Sequence, residues 1–118
     1  MISRNKAHEI AREWIEAWNS RDIDSIMSHY SDDVELTSPI AVKLLGGESG
    51  VVSGKDALRT YFEKGLAAFP DLKFELTEVY AGVRSIVVLY RRLNGPAGAE
   101  LMAINAEGRI EKVVAHYA

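Results

Sequence analysis

The sequence predicts an α+β domain in which helices come first and an antiparallel sheet follows. Three observations predict it. The N-terminal half carries apolar residues at spacings of three and four, the pattern of helices buried along one stripe. The C-terminal half alternates with period two and is cut by Gly- and Pro-containing turns. The chain has 118 residues, 47% hydrophobic and 26% charged, which is the size and balance of a single globular domain spanning 1–118.

In the first helix, Ala7, Ile10, Ala11, Trp14, Ile15, Ala17 and Trp18 form one broad apolar face. Arg4, His8, Arg12, Glu16 and Asn19 fall on the wet side. Asp22 is a good N-cap for a short second helix with Ile23, Ile26, Met27 and Tyr30 on its inner stripe. His29 is expected in solvent or at that helix's C-terminus. Asp32-Asp33 breaks the helix, and Val34-Glu35-Leu36-Thr37 alternates as a strand. Residues 38–54, with Gly46-Gly47-Glu48-Ser49-Gly50 at the centre, read as a small hairpin with a Gly-rich tip. A third helix, Lys55 to Ala68, stops before Pro70. The remainder reads as a meander: Leu72 to Val79, Ser85 to Leu93, Ala99 to Asn105, and Ile110 to Tyr117.

Composition excludes several function classes. Fourteen basic and 17 acidic residues give a formal net charge of −3, and no basic stripe suited to nucleic acid is present. With no cysteine, disulfides and thiolate chemistry are out. The N-terminus lacks the apolar run of a signal peptide, and no stretch approaches the ~20 apolar residues of a membrane span, so the expected location is cytoplasmic. His8, His29 and His116 sit on different elements without metal-ligand spacing, so no metal is expected. There is no G-x-S-x-G, and the Gly46–Gly50 stretch lacks the lysine and following helix of a phosphate loop. No cofactor is implied.

The order of elements, with Asn19-Ser20-Arg21-Asp22 between the first two helices and Phe69-Pro70-Asp71-Leu72 after the third, resembles the NTF2-like superfamily. It is similar in particular to the SnoaL-like polyketide cyclases and ketosteroid isomerases. The resemblance covers nearly the whole chain. It implies an NTF2-like cone, three N-terminal helices packed on the concave face of a strongly curved antiparallel sheet, with a hydrophobic small-molecule pocket between the layers. It also implies a homodimer through the convex face. Ser85–Leu93 supports this independently, because Ile86, Val88 and Tyr90 make one face apolar while Val87 and Leu89 make the other so. A monomer with some apolar surface is the alternative.

The same resemblance places Trp14 where the isomerases have their oxyanion-hole tyrosine, Ser38 where they have the proton-shuttling aspartate, and Glu100 where they have the protonated one. SnoaL-like cyclases have their acid/base aspartate at about the Glu100 position. Trp14 can donate one N–H bond but forms no phenolate, and Ser38 lacks basicity, so the usual isomerase mechanism is not expected. Arg92 and Glu100 match only part of the Asp-Arg-Asp arrangement in epoxide hydrolases of this fold.

Glu100 is the main catalytic candidate. It shares a strand face with Met102 and Ile104, where an ionisable group is costly and its pKa should rise. A solvent-exposed place at the strand start, or an ion pair with Arg92, is the competing reading. Tyr90 is the second catalytic candidate, able to orient a carbonyl, or else a core tyrosine. Ligand contacts are expected from Trp14, Trp18, Tyr30, Ser38, Phe62, Leu66, Val88, Met102 and Tyr117. His116 is expected on the convex face.

Two function classes follow. One is a cofactor-free acid/base enzyme, a cyclase, isomerase or dehydratase acting on a carbonyl-containing apolar ligand. The other is a non-catalytic module that binds a small apolar molecule or a protein partner. The polar content of the pocket separates them, and from sequence it looks thin.

Overall fold

A computed structural model describes residues Met1–Ala118. Helix α1 (Arg4–Ser20) is capped by Ser3, whose hydroxyl accepts from the Lys6 N–H. Its buried face is the one the spacing predicts: Ala7, Ile10, Ala11, Trp14, Ile15, Ala17 and Trp18. Helix α2 (Ile23–Met27) is capped by Asp22 and ends before Tyr30. Tyr30 instead opens strand β1 (Tyr30–Thr37), still fully buried.

Residues 38–54 do not form a hairpin. They contain a helix, α3 (Pro39–Leu45), and the short strand β2 (Val51–Ser53). Ser38 is the N-cap of α3, accepting from the Ile40 N–H at 3.2 Å, and Pro39 takes the first helical position, where its missing N–H costs nothing. Gly50 has φ +64°, and a Cβ there would lie 2.7 Å from the Ser38 carbonyl oxygen. That close approach lets the Ser38 N–H donate to the Gly50 carbonyl at 2.9 Å and closes the loop.

Helix α4 (Lys55–Ala68) is followed by β3 (Phe74–Ala81), β4 (Ser85–Arg92), β5 (Ala97–Ile104) and β6 (Ile110–Tyr117). The six strands form one sheet in the order β2-β1-β6-β5-β4-β3. It is not wholly antiparallel, because β1 runs parallel to β6. Register shifts in β3 and at the β5–β6 and β1–β6 pairings bend the sheet. The fold is an NTF2-like α+β cone with four helices rather than three, and two strands precede the last helix. The core joins α1, α2, α4 and the concave face through residues such as Trp14, Ile26, Leu58, Val88 and Met102.

Asn19-Ser20-Arg21-Asp22 is a structural joint. Asn19, expected in solvent, is half-buried. Its amide donates to the Phe74 carbonyl at 2.9 Å and accepts from the Phe74 N–H at 2.8 Å, mimicking a strand partner. Arg21 ends α1 with φ 61° and donates to the Leu66 and Phe69 carbonyls at 2.7 and 3.1 Å, capping the end of α4. These bonds fix Phe69 and Phe74, both of which reach the interior cavity.

Candidate functional site

The open side of the cone holds a mostly apolar cavity of about 70 Å³. Its aromatic walls come from α1 (Trp14, Trp18), α4 (Tyr61, Phe62) and the strands (Tyr30, Phe74). Trp14 stacks on Phe74 with centroids 5.6 Å apart and rings 8° from parallel, while Phe62 meets Trp18 edge-on at 4.7 Å. Gly65, Phe69, Ile40 and Arg92, all half-buried, also line it.

At the cavity wall lies Glu100, only 6% exposed, with no cation beside it. The rim placement and the ion pair with Arg92 are therefore both wrong. The Tyr90 hydroxyl donates to Glu100 Oε2 at 2.6 Å, the one side-chain hydrogen bond to that carboxylate. Burial raises the Glu100 pKa from 4.5 to about 7, and the bond from Tyr90 opposes the rise in part. The Tyr90 phenol is pushed far up, first by burial and then by the neighbouring carboxylate. Tyr90 thus stays a neutral donor.

Sequence reasoning missed the residue that makes this pair possible. Tyr90 and Gly98 face each other across β4 and β5, while Glu100 pairs with Val88 two residues further along. Tyr90 must lean over Gly98 to reach Glu100. A Cβ at Gly98 would lie 2.7 Å from Tyr90 Cζ and 2.9 Å from its hydroxyl oxygen. The signal was available: a buried glycine inside a strand marks a close approach.

The polar content is larger than expected. Tyr30, Tyr61 and Tyr117 join Tyr90 in lining the cavity. The Trp14 Nε1–H donates to the Tyr30 hydroxyl at 2.8 Å. Trp14 therefore has no N–H left for a ligand, whereas the Tyr30 O–H remains free to donate. Burial and the Glu100 charge push the Tyr30 pKa up, keeping that proton in place. Burial likewise raises Tyr117, to about 12. Trp18 Nε1 lies beside the Tyr30 hydroxyl without forming a well-shaped hydrogen bond, and it is the single buried side-chain polar atom without a partner. The Ser38 hydroxyl lines the cavity; its oxygen accepts the α3 cap bond, and its O–H remains to donate towards the Tyr61 and Tyr117 hydroxyls.

Among the other residues expected at the ligand, Trp18, Phe62 and Tyr117 line the cavity. Leu66, Val88 and Met102 do not. Val88 and Met102 are fully buried in the core, and Leu66 is half-buried and packed against it. His116 is exposed on the convex face, opposite Ala99 in the sheet. No group of three or more His, Asp or Glu side chains that could hold a metal ion is gathered anywhere, and no helix is long and apolar enough to cross a membrane.

Helices packed on a six-stranded curved sheet give the α+β cone of the NTF2-like class. Within it, the chain belongs to the SnoaL-like family: residues 11–117 match the SnoaL-like domain. A SnoaL-like protein of unknown function from Burkholderia thailandensis E264 is 39% identical, with TM-score 0.94 over 99% of this chain and 98% of that one. The epoxide hydrolase/cyclase-like enzyme SalBIII, described in pyran ring formation in polyether salinomycin, is 20% identical, with TM-score 0.76 over 100% of this chain and 95% of that one. A protein with a cystatin-like fold from Methylobium petroleophilum PM1 is 14% identical, with TM-score 0.78 over 99% of this chain and 78% of that one. No curated protein matches the chain.

Proposed function

We propose that this protein is a cofactor-free acid/base enzyme that moves a proton on a small apolar carbonyl compound, in an isomerisation, cyclisation or dehydration. One observation carries the reading: Glu100 is buried at the cavity with a pKa of about 7 and is held by Tyr90. A carboxyl poised there exchanges a proton readily near neutral pH. Glu100 takes the proton from the carbon beside the carbonyl, the C–H electron pair moves into an enolate, and Glu100 returns the proton at another carbon. Tyr30, oriented by Trp14, is placed to donate to the developing oxyanion. A binding module needs only the apolar walls, so the buried carboxylic acid favours the acid/base reading.

Deuterium exchange into an enolisable aryl ketone such as propiophenone tests this. The wild type should catalyse exchange faster than buffer, with a rate that rises through about pH 7 as Glu100 ionises. Glu100→Gln should lose it, and Glu100→Asp should restore some. A wild-type rate equal to that of buffer refutes the reading.

We also propose that a second copy of the chain covers the convex face, and we place the protein in the cytoplasm. The support for the first is a row of apolar side chains across four strands. Tyr80 pairs with Val87, Val87 with Leu101, and Leu101 with Val114. Tyr80 and Leu101 are 58% and 40% exposed, and no helix covers them.

A further inference from the structure

Two donors at the cavity form no well-shaped hydrogen bond or ion pair with a protein acceptor. The first is Trp18 Nε1, on a side chain 8% exposed. The second is the Arg92 guanidinium. Arg92 lines the cavity, is half-buried, and forms none of the ion pairs in the molecule, which join Lys6 to Glu9, Lys55 to Asp32, and Arg59 to Asp24 and Glu63. Its position is nevertheless fixed. The guanidinium lies 4.6 Å from the centre of the Phe69 ring. Phe69 is in turn held by the bond from Arg21 to its carbonyl. A guanidinium resting over an aromatic face is fixed in position while its N–H edge stays free to meet a carboxylate.

The strand register sets the distance between the two ends of the site. Glu100 is level with Val88, and Arg92 lies four residues further along β4 on the same face. That is about 13 Å between backbone levels, less the reach of the side chains. The cavity between them is narrow and aromatic. A neutral ligand filling it would leave Arg92 without an anion.

We propose that the ligand is a small aryl or apolar keto acid. Its carboxylate pairs with Arg92, and its carbonyl lies deeper, within reach of the Trp18 N–H and beside Glu100. This rests on the reading of Glu100 as the proton-moving group but adds the charge and polarity of the substrate. A carboxylate held by a charge-assisted pair fixes which carbon faces Glu100, and so makes Arg92 a specificity-determining residue.

The test uses a matched pair of probes, β-benzoylpropionate and its methyl ester, which share the aryl ketone and differ in charge. Quenching of tryptophan fluorescence gives the affinity of each, and proton exchange with solvent deuterium gives the chemistry. The wild type should bind the acid about tenfold or more tightly than the ester. Arg92→Gln should abolish that preference, bringing the affinities for acid and ester together, and Arg92→Lys should restore part of it. Trp18→Phe should weaken both probes, since both carry the ketone. Circular dichroism confirms that each variant is folded. Equal affinity for acid and ester, a preference that survives in Arg92→Gln, or no saturable quenching by either probe overturns the inference. Preferential binding of the acid without exchange refutes the proton-transfer reading and leaves the keto-acid assignment standing.

Discussion

Replacing Glu100 with Gln should stabilise the protein, and the gain should grow with pH. The side chain is buried at the cavity, and that burial raises its pKa from 4.5 to about 7. The sign follows from proton binding. Below about pH 4.5 the carboxyl is protonated in both folded and unfolded chains and contributes no difference. Between 4.5 and about 7 the unfolded chain ionises while the folded one stays protonated, so wild-type stability falls as pH rises. Above about 7 the fall is complete. The gap between the two pKa values corresponds to a linkage on the order of 3 kcal/mol. Gln keeps the shape and the acceptor for the Tyr90 hydroxyl but cannot ionise. Urea unfolding followed by tryptophan fluorescence, at intervals from acidic to mildly alkaline pH, measures the difference. It should be small at the acid end, rise towards neutrality and reach a plateau. A difference independent of pH would show that Glu100 titrates as an ordinary carboxylate and would remove the physical basis for its role.

Gly98→Ala should force the Tyr90 ring off Glu100, cost about 1–3 kcal/mol through overpacking, and move the pH midpoint of the exchange reaction upward, because Tyr90 holds that pKa down; an unchanged midpoint would show that the contact is merely structural. Tyr90→Phe should produce the same upward move without the overpacking. Trp14→Phe should destabilise by about 1–3 kcal/mol, read by urea unfolding, since the buried Tyr30 hydroxyl loses its donor; a value near zero would mean that this bond carries little. The wild type should sediment at about twice 13.1 kDa, and Leu101→Glu should give monomers; a monomeric wild type at high micromolar concentration would end the proposed pairing of convex faces.

The fold was legible where local pattern and tertiary burial agree. The buried face of α1 coincides with its apolar stripe, and the two-residue alternation of β4 and β6 matches their burial. Helix α3 was equally legible but was outweighed by the glycines that follow it. Ser38-Pro39 is a cap followed by a proline at the first helical position, and Gly46 ends the helix at φ 79°. The hairpin reading gave those glycines to a tip, when one of them closes a helix and Gly50 makes room for the Ser38 carbonyl. The parallel pairing of β1 with β6 was not legible, because alternation reports which face is buried and says nothing of the neighbour's direction. Glu100 could be placed because a charge on an apolar strand face is a local inconsistency. The Trp14–Tyr30 bond could not, since it depends on how β1 begins relative to α1.

Three violations of ordinary folding rules meet at one cavity. Glu100 is ionisable and buried without a cation, Gly98 interrupts a strand that a larger residue would strengthen, and Trp18 leaves a buried N–H unpaired. Each alone admits a structural explanation, but their geometry links them. Gly98 makes the space that lets Tyr90 reach Glu100, Tyr90 holds the carboxyl near neutrality, and Trp14 fixes the Tyr30 hydroxyl beside the Trp18 N–H, leaving donors at the same cavity. If the fold alone were served, neutralising Glu100 would help and nothing would be lost. The acid/base reading therefore makes a paired demand: the Gln variant must gain stability above neutral pH and lose proton transfer together. A variant that gains stability and keeps exchange would assign the chemistry to another group, and one that loses both would make Glu100 a structural residue.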